Sequence, residues 1–365
     1  MDFMEQALSL ARLALGQVSP NPAVGAVLVK DGEVVGQGYT QPPGSWHAEI
    51  GALNQAGENA RGGVMYVTLE PCCHYGRTPP CSKAIIAAGV AEVHFAMIDP
   101  NPKVAGKGKA ELESAGIRTY AGEREKEASE LNEAYIKYIT TGTPFVTAKF
   151  AMSLDGKIAT GSGDSKWVTG EEARKYVHHL RYTADAIMAG ANTILADDPQ
   201  LTSRCCGGRG GSVRKQPLRV IVDGKGRTPP TARIFSQPGK TLLALGGSVK
   251  PGTKAAFTRV GAEIVELATG EDQVDLKGLL KLLGQREITS VLVEGGGILL
   301  GCLFDEGLVD KVVAFIAPII IGGKEAKTAV AGKGVDKVAD SIRLERVKMD
   351  KFGEDMMISG YVGGR

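Results

Sequence analysis

The spacing of apolar residues alternates between helical and strand periods along the first 140 residues. Four apolar residues near the start recur at helical spacing, namely Met4, Leu8, Ala11 and Leu15. They predict a helix over residues 2–15. Apolar runs over 24–30 and 33–39 flank Asp31-Gly32, a dipeptide typical of two-residue hairpins. Further strands are predicted over 64–69, 90–98 and 117–120, and helices over 47–59, 81–88, 107–115 and 123–139. This order predicts a sheet with interleaved helices, an α/β domain.

A second α/β pattern begins after the helix-stopping segment Thr141-Gly142-Thr143-Pro144. We therefore predict two domains, residues 1–144 and 145–365. In the second, helices are predicted over 171–183, 274–285 and from about 298. Its strands are predicted over 145–150, 185–189, 218–223, 241–245, 263–267, 290–294, 309–321 and 356–362. Residues 204–217, rich in Gly, Arg and Ser, are predicted to form a surface loop.

Length favours two domains, and charge argues against a nucleic-acid binder. A chain of 365 residues exceeds the usual size of one core. Its net charge is only +2, so it lacks the basic excess typical of nucleic-acid binders. Residues 1–144 hold 12 basic and 16 acidic residues, a net charge of −4, and the remainder carries +6. The second domain is therefore the better host for phosphate-bearing ligands.

The chain has no predicted membrane segment or signal peptide. The start lacks a basic, apolar leader, and the apolar run 312–321 is too short to cross a bilayer. We expect a cytoplasmic protein without membrane partners. Six cysteines in so long a chain do not form a disulfide scaffold, so clustered cysteines indicate metal binding or catalysis. The pair Cys205-Cys206 is either a chance pair or an adventitious metal site.

One histidine and several cysteines indicate a catalytic zinc site. His47-Ala48-Glu49 begins a predicted helix, and Cys72, Cys73 and Cys81 follow a predicted strand. One imidazole and two thiolates leave a zinc ion an open position for water, as catalytic sites do. The metal would make that water a nucleophile, and Glu49 would shuttle its proton to a leaving amine. A lone H-x-E or a lone cysteine is common by chance, but this combination favours zinc.

Two pairs of cysteines could supply the zinc thiolates. Zinc nucleobase deaminases share H-x-E followed by P-C-x-x-C, and here position 75 is Tyr. The second thiolate is then Cys73 or Cys81. Adjacent side chains point apart, which favours Cys72 with Cys81. His74 and Arg77, between the two cysteines, are either solvated loop residues or substrate contacts. Asn21 is either a turn residue or a hydrogen-bond partner of a heterocycle edge.

Motifs in both halves resemble one known family, the bifunctional deaminase/reductase of riboflavin biosynthesis. In the first half the matching segments are residues 21–25, 47–49, 68–72, 78–81, 99–102 and 104–106. In the second half they are 153–157, 165–167, 195–199 and 293–296. The resemblance implies a cytidine-deaminase-like α/β/α domain followed by a dihydrofolate-reductase-like α/β domain. It also implies zinc-dependent deamination of 2,5-diamino-6-ribosylamino-4(3H)-pyrimidinone 5′-phosphate, then NADPH-dependent reduction of the ribosyl group to ribityl.

The resemblance assigns roles to residues of the first domain. His47, Cys72 and Cys81 would bind zinc, and Glu49 would be the proton donor. Substrate contacts would come from Asn21, His74 and Arg77. The sequence departs from the family at Cys73, where the family pattern has Ser.

For the second domain the resemblance implies a cofactor site and a substrate site. NADPH would contact Ala151, Trp167, Thr193, Asp197, Gly296, Gly297, Ile298, Leu299, Leu300, Gly301 and Cys302. Substrate would contact Ser165, Arg181, Leu201, Arg204 and Glu294. Lys149 and Asp197 are candidate polar groups at the hydride-transfer centre. Residues alone support this site less, because the 295–301 segment lacks the dinucleotide fingerprint and Trp167 could equally be core packing.

Three other interpretations are open at this point. A tRNA or free-base deaminase with an unrelated second domain would need a basic groove in a first half that is net acidic. A non-enzymatic zinc module would need four protein ligands. A degenerate reductase domain kept for assembly or RNA binding is the third, and the presence of Trp167, Asp197 and Glu294 in the family pattern counts against it. We further expect a homo-oligomer, with the apolar 308–321 stretch as a possible interface.

Overall fold

The protein divides into two compact units in the computed structural model, Met1–Thr143 and Pro144–Arg365. The structure describes residues 2–204 and 215–363. Cys205 and Cys206 lie outside the described residues. The division falls at the helix stop identified in the sequence.

The first unit is a five-stranded sheet with helices. Its helices α1–α6 are Phe3–Ala14, Ala48–Ala56, Cys81–Ala88, Lys107–Ser114, Glu125–Leu131 and Glu133–Thr141. Its strands β1–β5 are Gly25–Lys30, Glu33–Tyr39, Val64–Val67, Glu92–Phe95 and Arg118–Ala121. The strand order is β2-β1-β3-β4-β5, with β1 antiparallel to β2 and β3 and the last three strands parallel. The predicted hairpin is therefore one edge of the sheet.

Two glycines let helices α1 and α2 lie directly on the hairpin. A Cβ on Gly25 would lie 1.9 Å from the Ala7 carbonyl oxygen, and one on Gly38 would lie 2.3 Å from that of Ala48. Either would clash with helix backbone, so only glycine permits this approach. The contact at Gly38 fixes the start of α2, where His47 stands.

The helix predicted over 123–139 is wrong as a single element, because it breaks at Asn132. The Asn132 side chain accepts a hydrogen bond from the Ala23 N–H at 2.8 Å and donates to the Ala23 carbonyl at 3.0 Å. This buried amide links the helical segment to the chain entering β1. The Asn132 side chain thus points into the protein, which the helical pattern of the sequence did not predict.

The second unit is built on a nine-stranded sheet. Its helices α7–α11 are Glu171–Thr183, Ala191–Asp197, Pro251–Arg259, Leu276–Gln285 and Gly297–Asp305. Its strands β6–β16 are Phe145–Ser153, Lys157–Ala159, Ala186–Gly190, Leu218–Asp223, Thr241–Leu245, Glu263–Glu266, Ser290–Glu294, Lys311–Ala317, Lys327–Thr328, Leu344–Phe352 and Asp355–Val362. The order is β11-β10-β9-β8-β12-β6-β13-β16-β15, and β14 pairs with β7 apart from it. The sheet is parallel from β11 to β13, and β16 is antiparallel to both of its neighbours, β13 and β15.

Both faces of the central parallel strands of this sheet are buried. Along β8, Ala186 and Met188 face one apolar cluster, whereas Ile187 and Ala189 face the other. This explains why its strands appear in the sequence as continuous apolar runs. The strand predicted over 309–321 ends at Ala317, because Pro318 has no N–H for the ladder. Strand β15 was not predicted, since its residues are almost all exposed.

Among residues 2–204 and 215–363, no helix has the length and apolar character that a bilayer crossing needs.

Candidate functional site

His47, Cys72 and Cys81 converge at the N-terminal ends of two helices. His47 directly precedes α2, and Cys81 is the first residue of α3. His47 Nδ1 lies 3.3 Å from Cys81 Sγ and 3.6 Å from Cys72 Sγ. The three candidate ligand atoms lie within 4.8 Å of one another. One nitrogen and two sulfurs at this spacing suit a single zinc ion.

Cys73 lies outside this group. Its Sγ is 3.9 Å from the Lys103 carbonyl oxygen. Of the two pairings open in the sequence, the structure brings together Cys72 with Cys81, as the adjacency argument expected.

Contact between the two thiols shifts their pKa values in opposite directions. Hydrogen bonding from the Cys81 side chain, together with His47 and the Cys81 backbone N–H at 3.4 Å, lowers the pKa of Cys72 to about 4. The Cys72 thiolate in turn raises the pKa of Cys81. A thiolate held by a helix N-terminus is a ready cation ligand.

Glu49 lies on the first turn of α2 and is 4% exposed. Burial and the Cys72 charge raise the pKa of Glu49 to about 7. A carboxyl group with that pKa can both take and give a proton near neutral pH. This is the carboxyl group that the H-x-E pattern predicts as the proton carrier.

A charged cluster occupies the second unit at the adjoining strands β6 and β12. Arg181 Nε and Nη2 donate to the two Glu294 carboxylate oxygens at 2.6 and 2.8 Å. Lys149 Nζ lies 4.0 Å from Glu294 Oε2, since the two residues are register neighbours. Burial lowers the pKa of Lys149. The structure thus gathers three residues that the sequence assigned separately.

Each half of the chain matches a known protein family. Residues 1–97 match the cytidine and deoxycytidylate deaminase zinc-binding region, and residues 144–358 match the RibD C-terminal domain. The riboflavin biosynthesis protein RibD of Actinobacillus pleuropneumoniae is 41% identical over 364 residues, covering 99% of this chain and 95% of that protein. The chain belongs to the RibD family of riboflavin biosynthesis.

Solved structures agree with this family membership. Acinetobacter baumannii RibD, form 1, has a TM-score of 0.89 and 38% identity, covering 99% of this chain and 98% of that one. A Thermotoga maritima protein titled a diaminohydroxyphosphoribosylaminopyrimidine deaminase/5-amino-6-(5-phosphoribosylamino)uracil reductase has a TM-score of 0.85 and 34% identity, covering 99% and 97%. The chain is thus a bifunctional enzyme with a deaminase and a reductase domain, and the predicted α/β fold class is confirmed. The alternative of a tRNA or free-base deaminase with an unrelated second domain is wrong.

Within the deaminase unit, Thr78 was missed as a site residue. Its hydroxyl lies 3.2 Å from His47 Nε2, the ring nitrogen that faces away from the thiols. A partner on one ring nitrogen fixes the orientation of the other. Of the three predicted substrate contacts, Arg77 is exposed, Asn21 is partly buried, and His74 has a buried Nδ1 without a partner among the described residues.

Glu70 and Asp99 brace the loop around the metal centre. Glu70, 2% exposed, accepts backbone hydrogen bonds from Asp99 at 3.2 Å, Gly106 at 2.9 Å and Lys109 at 3.0 Å. Asp99 accepts a hydrogen bond from the Tyr135 hydroxyl at 2.9 Å. Both residues lie in the family segments, but the sequence alone does not show which groups they bind.

In the reductase unit, Ser165 donates to Asp197 at 2.9 Å, and Lys166 Nζ lies 3.4 Å from the Asp197 carbonyl oxygen. The Trp167 side chain is 71% exposed, with the Arg174 guanidinium 4.7 Å from its ring centre. The interpretation of Trp167 as core packing is therefore wrong. These residues meet at the loop before α7 and the end of α8.

The glycine segment turns tightly around Thr193. Gly295 and Gly296 have positive φ, and a Cβ on either would lie about 3 Å from the Thr193 side chain. After this turn, Leu299 and Leu300 belong to the core of the unit, and Ile298 is exposed. Leu201 is also in the core at 3% exposure. The side chains of Leu201, Leu299 and Leu300 are buried in the core. The ligand contacts that the resemblance implies for them would therefore involve their backbone atoms.

The remaining predicted positions are spread around this site. Ala151 packs beside the cluster that contains Phe315. Arg204 is exposed, and its Nη2 donates to Gln200 at 2.6 Å. Gly301 lies against the Ala331 carbonyl, where a Cβ would come within 2.2 Å. Gly301 thus has a packing role, independent of any cofactor.

Proposed function

We propose that the chain catalyses two consecutive reactions on a phosphorylated pyrimidine. The first removes an amine from 2,5-diamino-6-ribosylamino-4(3H)-pyrimidinone 5′-phosphate, and the second reduces the ribosyl group to ribityl with NADPH. The convergence of His47, Cys72 and Cys81 beside buried Glu49 carries the proposal. The match of the second half to the RibD C-terminal domain supports the second step.

His47, Cys72 and Cys81 would hold zinc, since their nitrogen and two sulfurs are the donor set of catalytic sites with an open position. When bound, zinc supplies a Lewis acid that makes water nucleophilic at neutral pH. Glu49 accepts the proton from the attacking water and delivers it to the departing amine, so ammonia leaves. Its burial keeps the carboxyl ready for both transfers.

The loop between Cys72 and Cys81 would hold the substrate. His74 offers an unpartnered ring nitrogen among the described residues, and Arg77 an exposed guanidinium. Together with Asn21 they provide amide, imidazole and cationic groups for a polar pyrimidine and its phosphate.

Lys149 and Glu294 would surround the sugar carbon that is reduced. Lys149 is largely buried, with 14% of its side chain exposed, and its pKa is lowered, so it is suited to hand a proton to a sugar oxygen as hydride arrives. Arg181 holds Glu294 in place, and Arg204 is exposed for the substrate phosphate. Ser165, next to Asp197, adds a hydroxyl to the same site.

NADPH would lie along the Gly295–Gly296 turn and the start of α11. The turn has no Cβ atoms, so a dinucleotide can approach its backbone closely, and among the described residues no side chain caps the N-terminus of the nine-residue helix α11. The exposed Trp167 and the side chains of Thr193 and Asp197 would complete the site. NADPH supplies hydride when bound.

The order of the two reactions can be tested by following both products. Purified protein is given the diaminopyrimidine phosphate, and ammonia release and NADPH oxidation are followed separately, then again with NADH. We expect ammonia release without any nucleotide, and NADPH oxidation that lags behind it. NADPH oxidation with no prior ammonia release would contradict the proposed order.

The cytoplasmic location and the homo-oligomer expected from the sequence stay predictions.

A further inference from the structure

The deaminase unit contains a cavity of about 530 Å³ at the free edge of its sheet. Edge strand β2 forms one wall through Gln37 and Tyr39, and helix α2 forms another through Gly51 and Gln55. Its volume lies within the range typical of small-molecule sites, about 300–1,000 Å³. None of the proposed deaminase or reductase site residues lines it.

The backbone of β2 presents one hydrogen-bonding pair to this cavity. The Thr40 N–H bonds inward to the Val24 carbonyl at 2.9 Å, so strand alternation turns the backbone of Gln37 and Tyr39 outward. The Gln37 N–H accordingly bonds to Gln55 Oε1 at 2.9 Å, and the Tyr39 carbonyl accepts from Gln41 Nε2 at 3.1 Å. Between these two side-chain caps, the Gln37 carbonyl and the Tyr39 N–H remain for a ligand.

This short opening argues against an added β-strand. Strand addition needs a continuous row of backbone groups, and the two glutamines close the row on both sides. A lactam, –NH–C(=O)–, offers one donor and one acceptor side by side, and therefore fits the single pair. The Gln37 N–H bonds to the side-chain oxygen of Gln55. The side-chain NH₂ group of Gln55 can therefore donate to a second carbonyl of the ligand.

The other walls suit a flat, uncharged ring. Trp46 lines the cavity with its side chain 58% exposed, and an indole face is a stacking surface. The Gln41 N–H bonds to the Trp46 carbonyl at 2.9 Å, which closes the loop that holds the indole. Among the described residues that line the cavity, none is charged. A charged ligand would lose hydration there without gaining a counter-charge.

We propose that this cavity is a second ligand site of the deaminase unit, for a neutral planar heterocycle with a lactam edge. The lactam N–H donates to the Gln37 carbonyl, its carbonyl accepts from the Tyr39 N–H, and the ring stacks on Trp46. Because Trp46 precedes His47 and Gln55 shares helix α2 with Glu49, a bound ring contacts the elements that hold the metal centre.

Riboflavin is a suitable probe, since it is neutral, planar and fluorescent and carries an imide. We expect saturable quenching of its fluorescence by the full-length protein. Gln55→Glu keeps the acceptor for the Gln37 N–H but replaces the donor amide with a carboxylate. It should weaken binding at least about tenfold, which corresponds to about 1.4 kcal/mol.

Two controls make the result specific. Asn54→Asp places the same charge on the neighbouring exposed residue of α2 and should leave the affinity unchanged. A 3-N-methyl riboflavin cannot donate to the Gln37 carbonyl and should bind as weakly to the wild-type protein as riboflavin binds to Gln55→Glu.

Three results would overturn the proposal. They are no saturable quenching, equal affinity of wild type and Gln55→Glu, and equal affinity for the two flavins. A change of oligomeric state in Gln55→Glu without a change in flavin affinity would show instead that the groove is a contact between copies.

Discussion

Arg181 and Glu294 form a two-point ion pair in the reductase unit, with N–O distances of 2.6 and 2.8 Å. Arg181 Nη1 also donates to the Thr202 carbonyl at 3.3 Å. Although burial opposes it, the guanidinium lowers the pKa of Glu294 and keeps the carboxylate charged beside Lys149. Much of the hydrogen-bonding capacity of Arg181 is therefore used within the protein. These contacts hold the Glu294 carboxylate in one orientation.

Arg181→Ala should destabilise the reductase unit by about 3–5 kcal/mol, the usual cost of leaving one buried ion unpaired. Arg204→Ala is the matched control, because that guanidinium is exposed and pairs with Gln200. Urea unfolding of both variants measures the difference. Equal stability of the two would show that the buried ion pair does not hold the unit together.

Replacing each cysteine near the metal centre by serine should separate ligands from bystander. Cys72→Ser and Cys81→Ser should lose bound zinc, since each removes one of three converging ligand atoms. Cys73→Ser should retain about one zinc per chain, because its sulfur lies at the Lys103 carbonyl. The zinc content of each variant, measured by mass spectrometry after dialysis, shows which cysteines bind the metal. Zinc loss from Cys73→Ser alone would reverse the assignment.

The metal centre could be predicted from sequence because its chemistry is local and rare. His47, Glu49 and Cys81 stand at helix starts that the apolar pattern also predicts, and Cys72 closely follows a predicted strand. Asn132, Glu70 and Thr78 could not be assigned roles, because each acts through a partner distant in the chain. Strand β15 was missed for another reason, since an exposed strand lacks the apolar alternation from which strands are recognised.

Glu70→Gln should lower the free energy of unfolding of the deaminase unit by about 1–3 kcal/mol, because an amide donor would face backbone N–H groups that need an acceptor. Three such groups depend on the carboxylate. Glu58→Gln, an exposed residue on the same unit, is the control and should leave stability unchanged. Urea unfolding measures both. If Glu70→Gln had the same free energy of unfolding as the wild-type protein, the 99–109 loop would be held by other contacts.

Asp155 should make the reductase unit sensitive to acid. Hydrogen bonds from the Ser153 hydroxyl and from the Ile321 and Gly322 N–H groups lower the pKa of Asp155 to about 2. A lowered carboxyl pKa adds stability above the unfolded pKa of about 4, and that stability disappears as pH falls towards 2. Asp155→Asn should therefore be less stable than wild type at pH 6, with the difference shrinking below pH 4. Melting temperatures across this range provide the measurement, and a difference that grows in acid would contradict the sign.

The central claim is that two separate active sites act in one chain, and two isosteric substitutions test it most directly. Glu49→Gln and Lys149→Met are each assayed for ammonia release from the diaminopyrimidine phosphate and for NADPH oxidation with the deaminated product. The account predicts that Glu49→Gln lowers ammonia release by roughly 10²–10⁴-fold with NADPH oxidation intact, and that Lys149→Met does the reverse. Loss of both activities in either variant, with the protein still folded, would contradict it.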